Sequence, residues 1–298
     1  MKFNYDGSLN NEESFKLIKK ALDENDKIVI PGFYGAYPSG DIKLFPRGGS
    51  DVTGAIVSSA LSAEVYENWT DVSGILVADP KIIENPKRIS EITYDELREL
   101  SYMGASVLHE ETIFPVQELS IPINILNTNN PTDKGTIITK DCKDKKTIIT
   151  GIAGKKDFTS FNITKSRSSS KANLIRLVLD IFSKYDVNIE HIPTGIDSFS
   201  LVVPGSEVER CYYDLIGELK KIDDITKLDV EKEIALVAVV GRNMALKPGT
   251  SGKIFAILGS NNINIKMIAQ GANEINIIVG VKNSDFEKTV KVIYDNMF

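Results

Sequence analysis

Cysteine and histidine are scarce in this sequence. Its 298 residues include only two of each, Cys142 and Cys211 with His109 and His191. Neither set has the close spacing of metal ligands, and the two cysteines lie far apart in the chain. The sequence therefore argues against a zinc site and a disulfide framework, and it predicts no metal-binding cluster. A reducing cytoplasm is the compartment that fits best.

Long apolar runs and basic runs are also missing. Lys and Arg number 35 against 41 Asp and Glu, which gives a formal net charge of -6. Without a basic stripe, a nucleic-acid partner is not expected. No apolar run is long enough to span a bilayer. The first residues are polar and acidic, whereas a signal peptide begins with a basic and then an apolar segment. The sequence thus predicts a cytoplasmic protein without a membrane partner.

Helices and strands alternate in the first 140 residues. A capping box formed by Asn10 and Glu13 predicts a helix over 10–22, and the apolar run 27–33 predicts a short buried strand. Ser50 or Asp51 is the expected cap of a helix reaching about Ser62. Further elements are predicted in the same way: a strand at 64–69, a helix from Thr93 with Glu96 to Met103–Gly104, and strands at 121–126 and 136–139. This alternation is typical of an α/β domain with a mostly parallel sheet.

The rest of the chain contains an internal repeat. Residues 185–203 align with residues 261–279 at an offset of 76, and an amphipathic helix precedes each copy. Each repeat is predicted to form a βαββα unit whose sheet needs helices on one face. Units this small have exposed sheet edges, so pairing with each other or with a second chain is expected.

The segment RGGSD at 47–51 is the first candidate site. Consecutive glycines let backbone N–H groups approach a ligand, and a helix start offers further N–H groups and the positive end of the helix dipole. Arg47 can bind a carboxylate through two hydrogen bonds, and Asp51 can orient a lysine or a metal. The alternative is an ordinary strand–turn–helix connection. The neighbouring motifs favour a functional interpretation.

Two further segments accompany it. In WTDVSGILVADPK, 69–81, Thr70 and Asp71 place a hydroxyl and a carboxylate at a strand end, and Lys81 adds a flexible cation. Turns begun by Thr-Asp and Asp-Pro would explain either dipeptide alone. The third segment is 100–115, where His109 is interpreted as a packed or capping histidine.

Together these segments resemble the aspartokinases of the amino-acid kinase family. The resemblance implies the C-terminal part of an amino-acid kinase α/β sandwich followed by two α+β, ferredoxin-like ACT domains. The expected domains are 1–142 (kinase, nucleotide-binding part), 143–224 (first ACT) and 225–298 (second ACT), and the two ACT units can be interleaved. Departures are Ser106, Leu76 and Lys81, where the family usually has Lys, an aromatic residue and Arg.

The resemblance also implies roles. ATP with Mg²⁺ would phosphorylate the side-chain carboxylate of L-aspartate to 4-phospho-L-aspartate, the first step towards lysine, threonine and methionine, with no tightly bound cofactor. Asp51 would be catalytic. The other implied site residues are, for substrate, Arg47, Gly48, Gly49 and Ser50, and for nucleotide, Thr70, Asp71, Leu76, Lys81, Ser106 and Val107.

The ACT units imply allosteric control by an amino acid, with lysine or threonine as effector, and a homodimer or higher oligomer. The implied effector residues are Asn173, Leu174, Ile175, Ile189, Glu190 and Thr194. The start Gly249–Gly252 of the second unit is an equal alternative.

The family's opening Lys-Phe-Gly-Gly loop has no counterpart before Lys27. The sequence therefore predicts that the N-terminal half of the kinase domain is missing, and that the chain alone has no turnover. Two hypotheses remain open: an aspartokinase polypeptide that needs the missing half, and a non-catalytic regulatory subunit that senses an amino acid.

Overall fold

The computed structural model describes residues 1–46, 48–105, 108, 110–144, 146–167, 170–271 and 273–298, with the backbone alone for 110–113. The chain forms two compact units. The first unit comprises Met1–Gly151 and Val240–Asn243, and the second comprises Ile152–Val239 and Met244–Phe298. The predicted mixed α/β class is confirmed.

The first unit contains two small sheets with helices. Its elements are α1 (Asn11–Asp23), β1 (Tyr34–Ala36), β2 (Ile42–Leu44), α2 (Gly49–Leu61), β3 (Tyr66–Thr70), β4 (Glu91–Thr93), α3 (Tyr94–Tyr102), α4 (Glu110–Gln117), β5 (Ile123–Asn127) and β6 (Thr136–Thr139). Strands β1 and β2 form an antiparallel pair. The second sheet has the order β3-β5-β6-β4, in which β3 is parallel to β5, β4 is parallel to β6, and β5 and β6 are antiparallel.

Local capping signals account for the starts of α1 and α3. The Asn10 side chain accepts a hydrogen bond from the Glu13 N–H, and Thr93 with Glu96 forms a complete capping box. Both caps satisfy N–H groups that a helix start leaves without a partner. The capping box at Thr93 is confirmed, whereas at Asn10 only the N-cap bond forms, because the Asn10 N–H donates to the Lys2 carbonyl.

The prediction of a buried strand at 27–33 is wrong. These residues belong to no strand, and Val29 is 98% exposed. An apolar run forms a strand only where a neighbouring strand takes up its hydrogen bonds, and Pro31 has no N–H to offer. The pairing in this region is made instead by β1 and β2, one turn later in the chain.

The predicted cap of α2 is also wrong. The helix begins at Gly49, and its N-cap is Gly48 with a left-handed backbone (φ 85°). Ser50 and Asp51 therefore lie in the first helical turn. In one apolar cluster, Val52 and Ile56 of α2 pack against Ile18 of α1. This packing holds the start of α2 in place.

The second unit is one five-stranded sheet with helices. Its elements are β7 (Gly151–Lys165), α5 (Lys171–Lys184), β8 (Ser198–Pro204), α6 (Gly205–Glu209), α7 (Tyr212–Leu219), β9 (Ile225–Val240), α8 (Thr250–Ser260), β10 (Met267–Gln270), β11 (Asn276–Lys282), a 3₁₀ turn (Asn283–Asp285) and α9 (Phe286–Met297). The strand order is β10-β11-β9-β7-β8. Strand β7 leads the first repeat and β9 leads the second, and they are neighbours at the centre.

The backbone itself follows the repeat. Left-handed residues recur at the offset of 76, as Asp157 (φ 67°) with Glu233 (φ 58°) and as Asp186 with Asn262 (both φ 55°). The first pair lies within the two long strands and the second directly after a helix. The second strand predicted for the first repeat is reduced to isolated bridges at His191 and Thr194. The domain boundaries at 142 and 224 stay predictions.

The sequence predicted no segment that spans a membrane. None of the helices among the described residues combines the length and the apolar character that a bilayer span requires.

Candidate active site

The start of α2 is shaped by two glycines. Gly48 takes the left-handed conformation that glycine adopts without strain. Gly49 is buried, and a Cβ there would clash with the side chains of Phe45 and Phe33. The Gly49 N–H donates to the Pro46 carbonyl at 3.0 Å, whereas Ser50 is exposed. The turn therefore presents Ser50 and Asp51 at a helix N-terminus, where the dipole favours an anion.

Hydrogen bonds join this helix start to β3. The Asn68 amide donates to the Asp51 carboxylate (Nδ2 to Oδ1, 3.2 Å) and to the Tyr66 hydroxyl at 3.0 Å. That hydroxyl donates in turn to the Asp51 carbonyl at 3.2 Å. Asn68 is buried, and Thr70 and Asp71 follow it at the end of the strand. The helix start at 48–51 and the beginning of the motif predicted at 69–81 are thus brought together at the carboxyl end of β3.

Burial controls the ionisation of the tyrosine in this network. It raises the pKa of Tyr66 to about 12, the Asn68 hydrogen bond opposes that rise, and the negative charge of Asp51 adds to it. The phenol therefore stays protonated at neutral pH and remains a donor to the backbone carbonyl of Asp51. A larger residue at Gly54 would displace this tyrosine, because a Cβ there would lie 2.6 Å from the same hydroxyl.

Replacing Asn68 by leucine is expected to destabilise the protein by about 1–3 kcal/mol. The substitution keeps the side-chain size but removes the buried donor, so the partly buried polar atoms of Asp51 and Tyr66 lose a partner. Urea unfolding measures the change. The control is Asn25→Leu at an exposed asparagine that donates to Ala21, where the change should stay within about 0.5 kcal/mol. Equal effects of the two variants would refute the role given to Asn68.

Thr70 and Asp71 lie where two parallel strands end. The Thr70 carbonyl accepts hydrogen bonds from the N–H and the hydroxyl of Thr128, 2.8 and 2.9 Å away, just after β5. The Thr70 hydroxyl donates to the Asp71 carboxylate at 3.3 Å, and Asp71 is exposed. The crevice outside the carboxyl ends of parallel strands is the usual ligand position in α/β sheets.

Hydrogen bonds with Thr136 hold the loop after Asp71 in place. The fully buried Thr136 hydroxyl accepts from the Ile75 N–H at 2.8 Å and donates to the Ile89 carbonyl at 2.5 Å. Leu76 is half-buried and forms a bridge with Arg88. Lys81 is exposed, and its N–H donates to the Asp79 carboxylate at 2.8 Å.

Three predicted site residues, Arg47, Ser106 and Val107, lie outside the described residues, as does His109. The structure adds Tyr66, Asn68 and Thr136, which sequence reasoning missed. An asparagine inside a predicted strand was the available signal for Asn68, but only the fold shows that it is buried and bonded to Asp51.

The residues predicted for an effector belong to the second unit. Leu174 is fully buried in the core beside Phe161 and Phe182, and Ile175 and Ile189 pack against that core. Asn173 and Thr194 are exposed.

The start of α5 lies beside the loop that carries Thr194. The Lys171 ammonium donates to the Gly195 carbonyl at 2.7 Å, and Ser170 caps the helix by accepting from the Asn173 N–H. Glu190 lies against β8, where its N–H donates to the Val202 carbonyl at 2.9 Å. Thr194 and Gly195 therefore lie near the α5 start, at the beginning of β8, whereas Glu190 lies further along β8, beside Val202.

The N-terminal and C-terminal parts of the chain match two different protein families. Residues 7–127 match the amino acid kinase family, and residues 237–297 match the ACT domain. Aspartokinase 3 of Bacillus subtilis is 35% identical over 289 residues, which is 96% of this chain and 63% of that protein. The chain thus spans less than two thirds of that relative.

Solved structures give the same result. The crystal structure of Clostridium acetobutylicum aspartate kinase superposes with a TM-score of 0.95 and 50% identity, over all of this chain and 69% of the other. E. coli aspartokinase III has been solved with aspartate and ADP in an R-state (TM-score 0.77, 26% identity, 100% and 68% covered). It has also been solved with lysine and aspartate in a T-state (0.80, 27%, 100% and 67%).

Proposed function

Since this chain belongs to the aspartokinase family, we propose that it takes part in transferring phosphate from ATP to the side-chain carboxylate of L-aspartate, giving 4-phospho-L-aspartate. The observation that carries the proposal is the hydrogen bond of Asn68 to Asp51, which brings the helix start of α2 and the end of β3 to one place. Phosphoryl transfer needs positioning and charge neutralisation more than covalent chemistry from the protein. A carboxylate, a hydroxyl and a helix N-terminus at one sheet edge supply those functions.

On the substrate side, the proposal assigns L-aspartate to the turn before α2. Arg47 supplies the cation for its carboxylate, beside the Ser50 hydroxyl and the Gly48–Gly49 backbone. E. coli aspartokinase III, a relative, has been solved with aspartate and ADP. Because the Gly49 N–H already donates to Pro46, the exposed Ser50 side of the turn is the side open to the substrate.

On the nucleotide side, Thr70 and Asp71 offer hydrogen-bonding groups to the ribose or base, with Leu76, Ser106 and Val107 completing the pocket and Lys81 serving the phosphates. Mg²⁺ would accompany ATP, and it prefers carboxylate and phosphate oxygens. Asp51 fits that preference, because its carboxylate is partly exposed and held in one orientation by Asn68.

The second unit is proposed to supply amino-acid control. The α5 start near Asn173 offers N–H groups to an effector carboxylate, and Glu190 with Thr194 offers acceptors to its ammonium group. The bond of Lys171 to Gly195 holds these two segments together. The proposed effector is lysine. We also propose that the chain forms dimers through the open edges of the sheet.

Titration with Mg²⁺·ADP is expected to change the fluorescence of Trp69 in a saturable manner. Trp69 is the single tryptophan of the chain, is half exposed, and precedes Thr70 and Asp71. The Asp71→Asn variant should bind about tenfold more weakly or worse, because a charge-assisted hydrogen bond is lost.

The control for this titration is Asp26→Asn, at an exposed carboxylate in the turn after α1. It should leave the affinity unchanged. If Asp71→Asn binds as tightly as the unmodified chain, Asp71 does not hold the nucleotide and the assignment of this side of the site is wrong.

A further inference from the structure

Both repeats of the second unit contain a lysine followed by a left-handed residue in their long strand. Lys156 and Asp157 in β7 correspond to Lys232 and Glu233 in β9 at the repeat offset of 76, and the left-handed residue recurs in each pair. A short helical segment follows the strand beside each position. It begins at Asn283 after β11 and at Gly205 after β8.

In the first repeat, neighbouring side chains already bind both residues of this pair. The Asn283 amide donates to the Asp157 carboxylate at 2.6 Å and accepts from the Asp157 N–H at 3.2 Å. The Lys156 ammonium forms an ion pair with Glu287 at 2.5 Å and lies 5.4 Å from the centre of the Phe286 ring. Side chains of α9 and the preceding turn therefore satisfy both the lysine and the left-handed residue of this repeat.

In the second repeat, a cavity lies beside the corresponding pair, Lys232 and Glu233. Gly205 is the first residue after β8, as Asn283 is the first residue after β11, and a Cβ at this glycine would clash with the Asp157 carbonyl. A cavity of about 410 Å³ remains between α6, the start of α7 and the two long strands. Lys232 lies over the Tyr212 ring at 4.2 Å. In the part of the chain that the structure describes, Lys232 forms no ion pair, unlike its counterpart Lys156.

The lining of this cavity specifies a ligand chemistry. Its floor is apolar and buried at Phe158 and Val208. Its rim carries the Lys232 ammonium group, the exposed carboxylates of Glu209 and Glu233, and the Asp157 carboxylate, which already accepts a hydrogen bond from Asn283. A ligand with one carboxylate, two amino groups and a short apolar chain would match each of these parts, and the cavity has the volume of a small-molecule site.

We propose that this cavity binds a small α-amino acid with a second amino group. The ligand carboxylate pairs with Lys232, its ammonium groups pair with Glu209 and Glu233, and its methylene chain lies on Phe158 and Val208. The site is separate from the effector residues Asn173, Glu190 and Thr194 of the proposed function. It rests on that function only in that both concern amino-acid binding by this unit.

The test is a titration of the ¹⁵N-labelled full chain with L-lysine, followed through amide chemical shifts. Saturable shifts are expected at Gly205, Ser206 and Lys232, and they should persist in a Glu190→Ala variant. Shifts confined to the 170–195 region would overturn this inference and leave the proposed effector site standing. Shifts at Gly205 to Val208 that vanish with Glu190→Ala would overturn it as well, because the two sites would not be independent.

Two matched variants identify the lysine that binds. Lys232→Gln should weaken binding at this cavity about tenfold or more, since a charge-assisted contact with the carboxylate is removed. Lys156→Gln, at the equivalent but already paired lysine, should leave it unchanged. Equal weakening by both variants, or by neither, would overturn the assignment.

The ligand chemistry has its own test. Cadaverine lacks the carboxylate of L-lysine and should bind about tenfold more weakly, whereas comparable affinity would overturn the role of Lys232. Ser206→Trp fills the cavity from its exposed rim without altering the core, and it should abolish the shifts at Gly205 and Lys232. Persistence of those shifts in a folded Ser206→Trp protein would place the ligand elsewhere.

Discussion

Replacing Glu96 by leucine is expected to lower the free energy of unfolding by about 3–5 kcal/mol, because it leaves the charge of Arg242 without its partner in a buried place. Glu96 is fully buried, and the Arg242 side chain is 14% exposed. The guanidinium donates to the carboxylate at 2.9 and 3.2 Å, and the Arg242 N–H donates to it at 2.8 Å. The Thr150 hydroxyl adds a further hydrogen bond of 2.5 Å.

Chemical denaturation measures this loss, and two further variants interpret it. The double variant Glu96→Leu/Arg242→Met should recover much of the stability, since a buried ion pair replaced on both sides by apolar groups is often neutral. Asp180→Asn breaks the exposed pair of Asp180 with Arg176 and should cost less than about 1 kcal/mol. A double variant as unstable as the single one would show that the lost hydrogen bonds with Thr93 and Thr150, and not an uncompensated charge, are the cause.

The same cluster gives a pH dependence whose sign is determined. Burial acts to raise the pKa of Glu96, but hydrogen bonds from Thr150, Thr93 and Arg242 and the charge of Arg242 outweigh it, so the pKa lies below its usual value. The folded protein thus binds this proton more weakly than the unfolded chain. The stabilisation is fully present above the unfolded-state pKa of about 4.3 and is lost as the pH falls through the folded value. The stability gap between the unmodified chain and Glu96→Leu should narrow over that acid range.

Gly135→Ala is the second substitution with a large expected effect. Gly135 has a φ of 67°, which an alanine adopts only with strain, and the added Cβ would clash with the Ile125 carbonyl of β5. Strain of this kind alone costs about 1–3 kcal/mol. The backbone clash adds to it, because β5 and β6 would have to separate. We expect a loss beyond the upper end of that range in urea unfolding.

Gly40→Ala separates the two causes. Gly40 also has a positive φ, 95°, but its Cβ would meet no atom within 4 Å. This variant should therefore show the strain alone. If the two glycine variants lose equal stability, the contact with Ile125 contributes nothing. Because Gly135 precedes Thr136, whose hydroxyl fastens Ile75, the Gly135→Ala variant should also weaken the response of Trp69 to Mg²⁺·ADP.

Local chemistry explains which elements could be predicted. The caps at Asn10 and Thr93 satisfy helix N–H groups within a few residues, so their sequence pattern suffices. The strand at 27–33 failed because pairing is a property of the neighbours, which no local pattern contains. The α2 start failed for a related reason: a glycine in the left-handed conformation competes with Ser and Asp as a cap, and the tight packing of Gly49 on Phe45 favours it.

The candidate site shows the same division. The motifs at 47–51 and 69–81 were visible because glycines and polar residues interrupt apolar runs. Their junction was not, since it depends on Asn68, an amide inside a strand, which points at Asp51 only after α2 has folded back along β3. The repeat revealed both halves of the second unit, but not that β7 and β9 would lie side by side in one sheet.

The path of the chain has a consequence for any shortened version of this protein. Val240–Asn243 belong to the first unit, although residues of the second unit precede and follow them. A polypeptide ending before Arg242 would retain the whole contiguous part of the first unit, yet Glu96 would be left there as a buried anion without its counterion. The two units are therefore not separable by a single cut. Removing the segment from Val240 onwards would therefore also destabilise the first unit.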